Sequence, residues 1–277
     1  MKILVTGIRG QLGHDVMIEG QSRGYEMCGY DIDTMDLTKE DQVRSVVLND
    51  RPDVVIHCAA YTAVDKAETE RELCYAVNVD GSKYIAEAAA DCDAKIIYIS
   101  TDYVYSGKGD FPHLVTEERD PINYYGLTKS LGEDCVMNAS NKWFIVRTSW
   151  VFGENGNNFV KTMLRLGKEK DFLTVVDDQI GSPTYTADLA KLLLDMAETE
   201  KYGIYHGTNS GFCSWYEFAS EIMRMANLPC EVKPIPTKDY PTAATRPLNS
   251  RMDSSCLTDN GFREFPHWKN ALERFCK

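Results

Sequence analysis

The chain has 277 residues, 43% hydrophobic and 26% charged, globular proportions that supply one large core or two closely joined lobes. Its 30 Lys and Arg face 42 Asp and Glu, and a net charge of −12 repels phosphate backbones and anionic bilayers. Neither nucleic acid nor membrane is therefore expected as a partner, and no apolar run is long enough to span a bilayer.

Taken in chain order, short apolar runs alternate with amphipathic stretches. Ile3 to Thr6 reads as a strand that begins with no signal-peptide pattern ahead of it, so a cytoplasmic protein is expected. Gln11 to Ser22 reads as a helix, Tyr25 to Tyr30 as a strand, Lys39 to Asn49 as a helix and Val54 to Cys58 as a strand. One long helical pattern covers about Thr69 to Ala90, followed by the buried strand Lys95 to Ser100, a helix over Tyr124 to Asn138 and a strand over Trp143 to Ser149. Such β-α alternation with apolar strands predicts an α/β fold, a Rossmann-type doubly wound parallel sheet covered on both faces.

The second half is less regular. Asn157 to Lys168, Tyr185 to Ala197 and Ser214 to Ala226 read as helices and Phe172 to Val176 as a strand, while the prolines clustered from Pro229 to Pro247 predict a loop-rich segment. The expected division is a nucleotide-binding lobe over 1–150 and a smaller mixed α/β substrate lobe over 151–277, with allowance for the chain to cross back. The nine cysteines are odd in number, scattered and without a CxxC pair, and the five histidines lack ligand spacing. Reduced thiols and no metal centre are expected.

Four motifs carry chemistry. Gly7-Ile8-Arg9-Gly10-Gln11-Leu12-Gly13 follows the first strand and opens the first helix, where glycines permit a tight turn and close approach of a pyrophosphate to helix amides. Asp31, at the end of the second strand, is placed to accept hydrogen bonds from an adenosine ribose and to repel a 2′-phosphate, which favours NADH over NADPH. Asp36 and Leu37 would lie along the adenine edge. Ser100-Thr101-Asp102 ends a strand at the carboxyl edge of the sheet, where open α/β folds bind ligands. Because side chains alternate along a strand, only one of the two hydroxyls should face the pocket. Tyr125 and Lys129 stand four apart on one helical face, an arrangement in which an ammonium can depress a phenol's pKa for proton transfer.

With these motifs in order, the sequence resembles the extended short-chain dehydrogenase/reductase superfamily and, within it, the dTDP-4-dehydrorhamnose reductase family. The stretches CAAYTAVDKAE (Cys58 to Glu68), STDYVY (Ser100 to Tyr105), YYGLTK, RTSWVFG (Arg147 to Gly153), DQIGSPTYTADLA (Asp178 to Ala190) and RPLNSRMD (Arg246 to Asp253) extend the likeness along nearly the whole chain. The resemblance implies that Gly10, Gln11 and Leu12 hold the cofactor diphosphate, that Asp31, Asp36 and Leu37 hold its adenosine half, and that Ala59, Ala60, Tyr61 and Thr62 line it. It selects Thr101 as the catalytic hydroxyl, with Asp102 touching the sugar, Tyr125 as proton donor, Lys129 as its partner and Trp150 packed on the sugar nucleotide. The implied reaction is NAD(P)H-dependent reduction of the C4 ketone of a dTDP-linked 4-keto-6-deoxy sugar. Arg246 and Arg251 are candidates for the substrate diphosphate. Family members use Mg²⁺ at a dimer contact through acids near the first helix; here His14-Asp15 stands there, thin support for a metal. A monomer or a homodimer is expected. Two other readings stand beside the leading one: a reductase or epimerase of another nucleotide sugar, and a non-catalytic NAD(P)-binding regulatory subunit. Intact Thr101, Tyr125 and Lys129 argue against the latter, since a scaffold has no physical need of a tuned phenol.

Overall fold

In the computed structural model, which describes residues 1–277, the apolar runs of the first half become β1 (Lys2–Thr6), α1 (Gln11–Ser22), β2 (Glu26–Tyr30), α2 (Glu40–Asp50) and β3 (Val54–His57). Beyond them comes α3 (Val64–Ala67), and the long helical pattern resolves into α4 (Arg71–Tyr75), a π-helical turn over Ala76–Asp80 and α5 (Gly81–Asp91). Then come β4 (Lys95–Thr101), α6 (Tyr124–Ala139) and β5 (Trp143–Thr148). The interruption has a polar cause. Asn78, buried in the π turn, uses its side chain to bind both backbone groups of Tyr61 and the Thr128 hydroxyl, so the helix widens where that amide must turn inward.

The second half adds β6 (Val151–Phe152), α7 (Phe159–Glu169), β7 (Phe172–Val176), β8 (Ile180–Gly181), β9 (Thr184–Tyr185), α8 (Thr186–Ala197), β10 (Gly203–His206), β11 (Cys213–Ser214), α9 (Trp215–Met225), β12 (Glu231–Ile235), β13 (Asn249–Ser250), α10 (Ser255–Asp259) and α11 (Trp268–Phe275). The main sheet has six parallel strands in the order β10-β5-β4-β3-β1-β2. Alternate residues feed opposite faces. Ile3, Val5, Ile56, Ile97 and Val146 pack under Leu189, Leu192 and Leu193 of α8, whereas Leu4, Val55, Ile96, Tyr98 and Ile145 pack under α2 and α5.

After passing through β6–β9 the chain returns to this sheet: α8 lies against α1, and β10 pairs with β5 from Gly203↔Phe144 to His206↔Arg147. α10 stays with the main sheet, Leu257 packing beside β10, and the other second-half elements form a smaller mixed lobe whose core joins Phe152, Val160, Leu173, Phe218, Ile222 and Trp268. The proline-rich segment is not all loop, because β12 forms a parallel ladder with β7 inside it. Pro234 is tolerated there since this sheet has only two strands and each is an edge. All nine cysteines are free, and no helix is long and apolar enough to cross a membrane.

Candidate active site

The glycine turn is built as its spacing predicts. Gly7 adopts φ +70°, and a Cβ there would lie 2.8 Å from the Ala59 Cα, so β1 and the loop after β3 approach as only glycine allows. A Cβ on Gly13 would stand 2.3 Å from the Gly7 carbonyl, which sets α1 tight against the turn. No side chain caps α1 and its first turn holds no acid, leaving its leading amides and dipole directed at the carboxyl edge of the sheet. The Gln11 side chain is turned away, accepting from Asn158 Nδ2 at 2.9 Å, and Asn155 Nδ2 donates to the Arg9 carbonyl at 2.7 Å. Both asparagines come from the second lobe and were not expected at the turn. Leu12 is buried in the core beneath.

At the adenosine end, the Asp31 carboxylate accepts the Arg9 and Ile32 amides, each at 2.9 Å. The Arg9 guanidinium is paired with Asp33. Asp36 accepts the Thr38 amide and hydroxyl, and those hydrogen bonds hold its carboxyl below the usual range. Leu37 is buried against Gly81. Ala59 and Tyr61 are fixed by backbone donation, Ala59 N–H to Thr6 Oγ1 at 3.0 Å and Tyr61 N–H to Asn78 Oδ1 at 2.8 Å. Ala60 lies between them, and the Thr62 carbonyl accepts from Val64 at the start of α3. Asn78 is marked in the sequence only by its polarity inside an apolar helical stretch.

The alternation of β4 separates its two hydroxyls. Ser100 donates to Glu133 of α6, whose carboxylate also accepts Arg147 Nε at 2.9 Å and Nη2 at 2.7 Å in a wholly buried pair. Thr101 faces the other way, with its hydroxyl donating to Asp102 Oδ1 at 3.0 Å and accepting from the Tyr103 amide. Tyr125 sits over the strand end, its ring edge-on to Tyr103 at 5.6 Å between centroids. α6 gets this close because Gly126 leaves room for the Tyr103 carbonyl and Gly132 for the Tyr98 hydroxyl.

Electrostatically the cluster differs from the expected one. Burial, then the neighbouring Asp102 charge, pushes the Tyr125 phenol above its ordinary range, opposed by the Thr101 hydroxyl. The expected depression by Lys129 is not present. The Lys129 ammonium lies 4.0 Å from the centroid of the Tyr98 ring, and burial lowers its pKa to about 7. Within the chain it makes no hydrogen bond. Asp102 is 2% exposed; burial raises its carboxyl to about 6, tempered by Ser250 and Thr101, and its Oδ2 has no hydrogen-bond partner.

Toward the second lobe, Trp150 adopts φ +48° and stacks on Trp215 with centroids 3.7 Å apart, while its edge fills the space a Cβ on Gly181 would need. A left-handed aromatic residue is strained and persists only where packing over-determines it. Arg246 is engaged with Asp65, at 2.7 and 3.0 Å, tying the RPLNSR segment to α3. Arg251 Nη1 donates to Asn249 Oδ1 at 3.0 Å. Asp15 is bound to the Thr186 hydroxyl, and no three acids, histidines or cysteines gather as a metal cluster.

A parallel sheet with a glycine turn, an acid at the second strand end and a Thr-Tyr-Lys set at its carboxyl edge defines an extended short-chain dehydrogenase/reductase, an NAD(P)H-dependent oxidoreductase. The chain belongs to the RmlD substrate binding domain family, whose model matches residues 1–277. It is 43% identical to a dTDP-4-dehydrorhamnose reductase of Aggregatibacter actinomycetemcomitans, over 98% of this chain and 97% of that one. The crystal structure of dTDP-4-dehydrorhamnose reductase from Bacillus anthracis in complex with NADP superposes with a TM-score of 0.97 at 46% identity, covering 99% and 98% of the two chains. UDP-glucose 4-epimerase of Thermus thermophilus, 18% identical with a TM-score of 0.86 over 100% of this chain and 98% of that one, shares the fold.

Proposed function

We propose that the protein reduces the C4 ketone of dTDP-4-dehydro-L-rhamnose to dTDP-L-rhamnose with NAD(P)H, a step toward cell-surface polysaccharide. The supporting observation is the cluster of Thr101, Asp102 and Tyr125 at the carboxyl edge of β4, with Lys129 one helical turn along α6 from the phenol. The uncapped start of α1 and the glycine turn fit a pyrophosphate, and the polar fixing of residues 59–62 forms a rigid wall for the rest of a dinucleotide. Gly7, Gly10, Gln11, Leu12 and Gly13 would hold the diphosphate, with Asp31, Asp36 and Leu37 at the adenosine and Ala59 to Thr62 along the nicotinamide half. When bound, that cofactor supplies the hydride.

The chain's own residues do the rest. Tyr125 gives its phenolic proton to the C4 oxygen as charge develops there. Burial keeps the proton on the phenol until it is transferred, although the raised pKa opposes its release, and the Thr101 hydroxyl, on leaving Asp102, donates a hydrogen bond to the same oxygen. Lys129, with its ammonium free of hydrogen bonds inside the chain, is available to ribose hydroxyls and electrostatically supports the phenolate left behind. Asp102 offers its unpartnered oxygen to a sugar hydroxyl. Trp150, braced by Trp215, presents an apolar surface to the sugar nucleotide. Arg246 would reach the substrate diphosphate only by exchanging Asp65 for it. The substrate is a dTDP-sugar, the working form a monomer or homodimer, and the free thiols suit the cytosol.

The test is loss of reduced-nicotinamide absorbance on mixing the protein with dTDP-4-dehydro-L-rhamnose and NADH or NADPH. Oxidation of the cofactor is expected. Folded, cofactor-binding protein without turnover would refute the reading.

A further inference from the structure

Two side-chain polar atoms sealed from solvent lack a hydrogen-bond partner: Asp102 Oδ2 and Thr148 Oγ1. They stand at neighbouring places in the fold. Thr148 is the last residue of β5, and its register partner on β4 is Thr101, the residue before Asp102. Side chains of paired residues in a parallel ladder leave the same face, so the Thr148 hydroxyl rises beside that of Thr101 at the carboxyl edge.

Its neighbours in sequence are all satisfied. Arg147 is spent on Glu133 and Tyr105, and Ser149 Oγ donates to the Ser182 carbonyl at 2.9 Å. Thr148 is 7% exposed, and buried hydroxyls nearly always bond something. Valine would fill the same volume without that penalty, so stability gives no reason for a hydroxyl here. We propose that Thr148 is a further ligand-binding residue, whose hydroxyl hydrogen-bonds a carbonyl or hydroxyl of the bound reactants beside Thr101. Two sources share that chemistry, the carboxamide of the nicotinamide and a hydroxyl of the sugar. The proposal rests on the reductase reading for the identity of those ligands.

The experiment compares Thr148→Val and Thr148→Ser with the wild type, using NADH binding by fluorescence, steady-state kinetics with dTDP-4-dehydro-L-rhamnose, and thermal melting without ligand. Thr148→Val should melt no lower than the wild type, because removing an unpaired buried hydroxyl costs the fold nothing. It should nevertheless lose about ten-fold in ligand recognition, the size of one hydrogen bond to a buried partner. Loss in the NADH dissociation constant assigns the contact to the carboxamide, and loss in KM for the sugar at unchanged NADH affinity assigns it to the sugar. Thr148→Ser should restore most of it. Thr148→Val with both affinities and kcat within two-fold of wild type overturns the proposal, as does a variant that melts well below wild type with recognition intact. Failure of the reductase reading would show separately, as wild-type protein that binds NADH and leaves the sugar unreduced; the NADH arm would still decide the Thr148 contact.

Discussion

Replacing Glu133 with alanine should cost the fold about 3–5 kcal/mol, the range for removing one member of a buried ion pair. The structure places the loss toward the upper end. Glu133 is 0% exposed and accepts from Ser100, from Arg147 through two nitrogens and from Arg119, and without it Arg147 keeps only Tyr105 and the Val115 carbonyl. With an unfolding entropy of about 2.1 cal/mol/K per residue, that range lowers the melting temperature by roughly 5–9 °C. Melting followed by circular dichroism reads the shift. The pair should also be strongly non-additive: Glu133→Leu combined with Arg147→Met should recover most of the stability lost by Glu133→Leu alone, because no charge is then left stranded. A Glu133→Ala loss below about 1 kcal/mol, or losses in the double variant that simply add, would refute the argument that this ion pair is desolvated and mutually dependent. Activity should fall with stability, since Ser100 leans on Glu133 and fixes the strand end that carries Thr101.

Three further outcomes are expected. Tyr125→Phe should lower kcat by about 10²–10⁴ while NADH binding, read by fluorescence, stays within a few-fold; activity near wild type would remove Tyr125 as proton donor. Lys129 is lowered to about 7 by burial, so between pH 7 and 10 the unfolded chain holds a proton that the folded chain has released, and this group adds stability as pH rises. Urea unfolding at pH 6.5 and 9 should therefore show a smaller gain with pH for Lys129→Met than for wild type, and equal gains would contradict the buried amine. Asp31→Ala should shift the ratio of kcat/KM for NADPH over NADH upward by about ten-fold, through removal of a like charge from the 2′-phosphate position; an unchanged ratio would place the ribose elsewhere.

The parts of this molecule legible in sequence are those whose chemistry is local. The glycine turn, the acid after β2 and the Tyr125–Lys129 spacing each depend on residues within one or two turns of chain. Alternation along β4 established that Ser100 and Thr101 could not both face the pocket, though only the position of Glu133 shows which way each points. What stayed hidden depends on contacts between distant segments. The amphipathic pattern of α8 gives an apolar face but not the sheet it covers. The break at Ala76–Asp80 follows from Asn78 reaching across to Tyr61 and Thr128, and no periodicity records that reach. The engagement of Arg246 by Asp65 and of Gln11 by Asn158 likewise joins positions far apart in the chain. The phenol's surroundings follow the same rule: helical spacing puts Lys129 near Tyr125 but cannot show that the ammonium rests on Tyr98.

The return of residues 186–206 to the main sheet makes the molecule indivisible. A fragment ending near residue 150 would lack β10, leaving β5 as an unguarded edge, and would lack α8, baring apolar residues of α1 and of the sheet. Such a fragment should aggregate rather than bind a nucleotide on its own. Transplanting the second lobe onto another dehydrogenase would have to carry α8 and β10 with it. Substrate preference in this scaffold is therefore more accessible to exchange of single side chains around the cleft than to the swapping of whole segments.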